Sequence, residues 1–303
     1  MKGVCSAREW RLIQLVAKII FVNRYFYPDL SATSQMVSDL AFALAGEQLR
    51  VSVITSSQNY EDPQARLHAR EVLSGVEVHR VWTTRFGRMS LGGRALDYLS
   101  FYVSAFAMLL RVTRSGDVVV AKTDPPLISV VAWIVARVKR GRLVNWLQDI
   151  FPEVAEALGV LTSRPMLTPV RWLRDMSLKG AAMNVVLGER MQEHVCALGV
   201  DRAKTRIIHN WADGRLIKPV PRSSNALRET WGLQGRFVVG YSGNMGRAHE
   251  FETIVNAMQR LRDEQDIVFL FIGGGAGKSG LQSALAELGL RNFMFQPYQP
   301  RDR

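Results

Sequence analysis

"DIVFLFIGGGAGKSG", residues 266–280, decides the fold. Its first half is a continuous apolar run, the pattern of a short strand covered on both faces. Its second half is a glycine turn, and a helix follows over 280–288. Two phosphate motifs nearly fit the turn. A P-loop requires glycine, then four residues, then Gly277-Lys278-Ser279, and Ile272 stands where that first glycine should be. The dinucleotide pattern G-x-G-x-x-G is met by Gly275, Gly277 and Gly280. It calls for an acid at the end of the next strand, and "NFMFQPY" (292–298) carries none. The turn meets neither motif in full, so the neighbouring elements decide its role.

The same alternation extends outward. "RFVVGYSG" (236–243) is another strand running into a glycine turn, followed by a helix over 250–262, and 292–295 is a third strand. Towards the N-terminus, strands are expected at 18–22, 51–55, 76–81, 117–122, 142–148, 183–187 and 205–209. Helices are expected at 34–46, 94–112, 127–138, 168–179 and 189–198. Continuous Val/Ile runs separated by helices mean parallel strands with helices on both faces. Between the two series lies "NWADGRLIKPVPRSSNALRETWGL", rich in Pro, Gly and Ser, which is linker chemistry. The expected fold class is α/β, with two Rossmann-type, doubly wound parallel-sheet domains. Residues 1–17 read as an extension, 18–214 as the first domain, 215–235 as the linker and 236–303 as an incomplete second domain. Three strands and two helices give that second domain little surface cover, so the chain is expected to be truncated.

Thirty-nine Lys and Arg against 27 Asp and Glu give a net charge of +12. Nucleic acid, an anionic membrane surface and phosphorylated substrates are the three partners that fit such an excess. No zinc-finger spacing or RNP-type motif occurs, which sets nucleic acid aside. Two cysteines make no disulfide framework and suit a reducing compartment. A cytoplasmic chain is expected, with peripheral contact at the inner face of the plasma membrane. The longest uncharged runs, 98–110 and 125–136, are too short to span a bilayer. "YLSFYVSAFAMLL" (98–110) reads either as a fully buried helix or as a membrane-surface helix with Arg94, Arg111 and Arg114 at its ends.

Ligands of open α/β sheets bind beyond the carboxyl ends of the strands. The loops after strands are therefore the informative ones: "NRYFYPDLSATSQ" (23–35), "DIFPE" (149–153), "SGNMGRAHE" (242–250) and the opening stretch. Ser31 or Thr33 can cap the helix that follows the first of these. The two second-domain loops are glycine-rich and precede helices, where backbone amides favour phosphate oxygens. Each has a plainer reading: a glycine turn is often only a turn, His249 a surface residue, and Asp149 a helix cap. There is no G-x-S-x-G elbow, D-x-D, H-x3-H or C-x2-C, so neither serine-hydrolase chemistry nor a metal site is expected.

Taken together, "FVNRYFYPDLSATSQMVSDLA", "LQDIFPE", "NWAD" (210–213), "YSGNMGRAHEFE" and "FIGGGAGKSGLQ" resemble retaining glycosyltransferases of family 4, with the GT-B fold. The resemblance runs from Lys18 to Arg303 and is nearest to the bacterial subgroup that builds O-antigen, capsule and colanic-acid-type polysaccharides. It implies a nucleotide-sugar donor, UDP-linked and of N-acetylated hexosamine type, held by the second domain. It also implies a polyprenyl-diphosphate-linked or oligosaccharide acceptor on the first domain, and no cofactor. Gly243 and Asn244 fall in the donor diphosphate turn. Arg247 and His249 fall among its cationic ligands, although many relatives have Lys where His249 stands. Gly273, Gly275 and Lys278 match the second donor loop. Ser31 and Ala32 replace a Gly-Gly of the first loop. Gln148 replaces an active-site His beside Asp149, and Asp149 and Glu153 are the carboxylates that could orient the acceptor or stabilise an oxocarbenium ion.

The family's Glu-x7-Glu pair is absent, and poor turnover of this chain is expected from that. A non-catalytic remnant or partner subunit of a glycosyltransferase complex is the alternative. An NAD-linked oxidoreductase is a third reading, weakened by the missing acid.

Overall fold

A computed structural model of the chain describes residues 17–29, 31–59, 67–86, 91–160, 163–214, 217–246 and 249–299. It divides into two compact units, between Trp211 and Ala212.

The first unit is built on an eight-stranded sheet in the order β3-β4-β2-β1-β5-β6-β7-β8. The strands are β1 Ile19–Val22, β2 Val51–Ser56, β3 Arg70–Leu73, β4 Val76–Val81, β5 Val118–Ala121, β6 Arg142–Trp146, β7 Met183–Val186 and β8 Thr205–Ile207. All pairings are parallel except β3 against β4. Sequence reading misses β3, because "REVL" is polar and only half covered at a sheet edge. Its signal is the Ser74-Gly75 turn, with φ of 47° and 83°, the pair of positive values a two-residue hairpin requires.

The helices are α1 Ala32–Gly46, α2 Leu91–Val112, α3 Ile128–Val138, α4 Glu153–Ala157, α5 Arg164–Gly180 and α6 Glu189–Ala197. Strand alternation sends Ile20, Val22 and Ile54 to one face, against Phe101, Ala105 and Leu109 of α2 and Ile128, Ala132 and Val135 of α3. Phe21, Val53 and Val78 go to the other face, against Val37 and Ala41 of α1. Each of the larger side chains contributes about 1.5–3 kcal/mol by leaving water.

Helix α2 is neither fully buried nor plainly amphipathic. Phe101, Ala105 and Leu109 are in the core, while Leu96, Leu99 and Val103 are exposed. It begins at Leu91, three residues before the expected Arg94. By length and composition alone it could cross a membrane, yet its inner face packs on the sheet. Similarly, α5 begins at Arg164 rather than 168, with a proline in its first positions, where no amide is missed. The one-turn helix α4 was not expected at all.

The second unit holds a parallel three-stranded sheet, β11-β10-β9, made of β9 Phe237–Ser242, β10 Ile267–Ile272 and β11 Phe293–Gln296. Helices α8 Glu252–Arg260 and α9 Lys278–Glu287 follow β9 and β10. Met245, Met258, Phe269, Phe271, Leu281 and Leu285 form its core. The stretch that reads as linker contains α7, Ala226–Thr230, capped by the Asn225 side chain, which accepts from the amides of Leu227 and Arg228 at 3.0 and 3.3 Å. Leu233 just beyond it is buried against Val268 and Leu270.

Candidate active site

In the second unit, the loops after β9 and β10 interlock. The Gly243 amide donates to the Ile272 carbonyl at 2.9 Å, Met245 to Gly274 at 2.6 Å, and Gly277 to Met245 at 2.8 Å. Gly243, Gly273 and Gly275 have φ of 147°, 131° and 131°, which side-chain-bearing residues rarely adopt. A Cβ on Gly273 would lie 2.1 Å from the Gly243 carbonyl oxygen, and one on Gly275 2.5 Å from that of Met245. The glycines are therefore required for one backbone to pass against the other. Lys278 opens α9 and lies 5.5 Å above the Phe295 ring. Exposed His249 meets the Tyr241 hydroxyl through Nδ1 at 2.6 Å, and that hydroxyl also donates to the Asn244 carbonyl at 3.0 Å. The structure thus gathers Gly243, Asn244, His249, Gly273, Gly275 and Lys278 onto adjoining loops. Arg247 lies outside the described residues.

In the first unit, the polar groups gather at the carboxyl ends of β1, β5 and β6. Ser31 sits at the N-cap position of α1 but makes no cap bond with its side chain. Its amide instead donates to the Asp29 carboxylate at 2.8 Å, and Ser34 Oγ donates to the Asp29 carbonyl. Asp29 thereby organises the turn that Ser31 was expected to cap. Ala32 is the exposed first residue of α1.

Gln148 Oε1 accepts from Asn210 Nδ2 at 3.0 Å, and Trp211 stacks on Trp146 at 5.6 Å. Asn210 of "NWAD" thus meets Gln148 of "LQDIFPE", and Trp211 meets the residue just ahead of that motif. Asp149 is exposed as a residue, yet its carboxyl is crowded by protein. Lost hydration pushes its pKa up, and a hydrogen bond from the Thr123 hydroxyl opposes that rise. Glu153 behaves differently. Burial works to raise it, but its bond to Arg174 Nη1 at 2.7 Å and the charge of that group hold it below the usual range. Arg174 is itself buried and also binds Asp175 at 2.6 Å. Glu153 is therefore committed to an ion pair that holds α4 on α5, whereas no ion pair among the described residues engages Asp149.

Sequence reading missed three groups here. Arg24 is buried after β1, bound to Asp97 at 3.5 Å and Gln58 at 3.1 Å. Asn23 beside it is fully buried and donates to the Tyr25 carbonyl at 2.7 Å. Lys122 directly follows β5 with its ammonium buried, 3.9 Å from the Trp146 ring centroid and without a hydrogen-bond partner. Their signal was position: each is a polar residue placed directly after an apolar strand. Among the described residues, no three His, Cys, Asp or Glu side chains converge as metal ligands.

Burial draws the Lys122 pKa down to about 7, against the pull of Asp124. Below that pH both folded and unfolded chains carry the proton, and the fold bears the full cost of a buried ammonium. Between about 7 and the unfolded value of 10.5, only the unfolded chain keeps it, so stability rises with pH. Lys122→Met is expected to stabilise the protein by about 1–3 kcal/mol at pH 7. The gain shrinks towards pH 10, as read by urea denaturation at each pH.

The model of the glycosyl transferase 4-like domain matches residues 31–211, from the start of α1 through Trp211. The chain belongs to this family. As a glycosyltransferase it is 26% identical over 301 residues to WcaI of Escherichia coli (strain K12), which is named as a colanic acid biosynthesis glycosyl transferase. That alignment takes in 94% of this chain and 72% of WcaI. WbjE of Pseudomonas aeruginosa, named as a glycosyltransferase, is 30% identical over 57% of this chain and 44% of its own length. Among solved structures, Anabaena Alr3699/HepE in complex with UDP and glucose superposes with a TM-score of 0.65 at 18% identity, over 94% of this chain and 70% of that one. The likeness shows the fold, with two Rossmann-like units of the GT-B class. Within each unit the candidate loops lie at carboxyl ends of strands, after β1, β5 and β6 in the first and after β9 and β10 in the second, as the topology of such sheets requires.

Proposed function

We propose that the protein transfers a sugar, with retention of configuration and without a metal, from a UDP-linked donor to a lipid-linked or growing surface-polysaccharide acceptor. The observation that carries this is the pair of interlocked glycine loops after β9 and β10, whose main chain a diphosphate can approach closely. Lys278 and Arg247 supply positive charge to the leaving group, His249 offers a ring nitrogen beside them, and the start of α9 adds its dipole. In the step itself, the bond from the anomeric carbon to the diphosphate oxygen breaks. That oxygen takes the proton of the acceptor hydroxyl, and the hydroxyl oxygen bonds to the anomeric carbon on the same face. Asp149 stabilises the positive charge that develops on the sugar.

The named role of WcaI in colanic acid biosynthesis supports a polysaccharide acceptor, and the UDP bound to HepE supports the nucleotide. The exposed Leu96, Leu99 and Val103 of α2, with Arg111 at its end, support peripheral contact with an anionic membrane. The test is transfer of radiolabelled sugar from UDP-N-acetylhexosamine to a polyprenyl-diphosphate-linked acceptor, over long incubations. Transfer is expected to persist in EDTA and to give a product with the anomeric configuration of the donor. Inversion, or loss of transfer in EDTA, overturns the mechanism.

A further inference from the structure

The opposite edge of the first sheet carries a second concentration of chemistry. A cavity of about 690 Å³ opens at the amino ends of β1, β2 and β5, beneath the close of α2. Six cationic side chains line it against two carboxylates. Both carboxylates are already engaged. Asp117 accepts from the backbone amides of Lys18 at 2.9 Å and Arg114 at 2.8 Å, and Glu77 is paired with Arg70. Arg80 is paired with Glu71. Lys18, Arg50, Arg111 and Arg114 remain with no salt-bridge partner among the described residues, and the last three are exposed. The carboxyl end of α2 adds only about half a negative charge, too little to offset this excess.

His79 gives an independent sign of a missing ligand. Its side chain is 8% exposed and lines the cavity from β4. Nε2 is buried without a hydrogen-bond partner, and Glu77 stands 3.6 Å away. Burial lowers its affinity for a proton, and the charges of Arg70 and Lys18 add to this against Glu77. Lys18 is likewise lowered, by burial first and then by Arg50 and Arg114, against Asp117 and Glu77. An anion among these groups would relieve both. A buried nitrogen left without a partner destabilises the fold, and a bound oxygen would supply that partner.

We propose that this cavity binds a phosphoryl anion, at a site distinct from the donor loops. Cations that fork around a cavity of this size match the several oxygens of a phosphate or diphosphate group better than a carboxylate. The site lies at the other end of the sheet from Asn23 and Lys122, about 16 Å away along the five residues from Lys18 to Asn23. It shares α2 with them, since Asp97 near the start of that helix holds Arg24 and Arg111 at its end enters the cavity. The phosphate could belong to a soluble phosphorylated metabolite or to a lipid headgroup.

The experiment titrates inorganic diphosphate into the full chain and follows the His79 ring resonances by NMR. Saturable shifts are expected, weakened at least tenfold by the triple exchange Arg50→Gln, Arg111→Gln and Arg114→Gln. Those residues are exposed, so the variant is expected to fold, and unchanged thermal unfolding checks that it does. Shifts that survive Lys278→Ala assign the site to the cavity rather than the donor loops. Vesicles of phosphatidylglycerol in phosphatidylcholine form the second arm. If they move His79 and free diphosphate does not, the anion is a lipid headgroup; the reverse assigns a soluble ligand. A His79 ring unmoved in both arms, or a triple variant that binds as well as the wild type, overturns the proposal.

Discussion

Gly273→Ala is expected to abolish nucleotide binding and loosen the second unit. The added methyl would stand 2.1 Å from the Gly243 carbonyl oxygen. That oxygen is backbone and cannot swing aside as a side-chain tip would. The φ of 131° adds strain of its own. Together these effects cost about 3–5 kcal/mol, and UDP affinity should fall at least a hundredfold. Hydrogen exchange separates the causes: the amides of β10 exchange faster, while those of β1 and β5 are unchanged. Gly240→Ala is the control. A Cβ there meets nothing within 4 Å, so binding and exchange should stay as in the wild type.

Asp149→Asn is expected to lower the rate of transfer by about 10²–10³-fold with little change in stability, as loss of a positioned charge at a reacting centre does. Glu153→Gln should cost less than tenfold in rate. Its carboxylate faces Arg174, so its loss shows in thermal unfolding and in the position of α4 rather than in chemistry. A second readout distinguishes the two. Burial raises the Asp149 pKa, so the acid limb of the rate profile should lie above the ordinary carboxylate range and vanish in the asparagine variant. Equal losses for both carboxylates would mean that neither has the assigned role.

The parallel sheets were legible because their signal is a property of single strands. "KIIFV", "VSVIT" and "DIVFLF" are short, near-continuous apolar runs, the pattern of strands covered on both faces. β3 was not legible as a strand, since its pairing with β4 depends on a partner the local pattern does not reveal. The buried face of α2 could not be separated from its exposed one, because Leu99 and Phe101 are equally apolar in sequence. Only packing assigns one to the surface and the other to the core. In the candidate site, the glycine loops were visible as glycines. Their mutual contact was not, because Gly243 and Gly273 come together only when β9 pairs with β10. Glu153 looked as available as Asp149 until Arg174, 21 residues on, was placed against it. Lys122 was hidden for the same reason. A lysine after a strand is ordinary, and its place against Trp146 of the next strand appears only once β5 pairs with β6.

The most direct test of the account is a titration of UDP into the isotopically labelled full chain, followed through the backbone amides. The account predicts saturable shifts at Gly243, Gly273, Gly275 and Lys278, with no comparable response to a nicotinamide dinucleotide. Silent glycine-loop amides at millimolar UDP, or a response there to the dinucleotide instead, would contradict it.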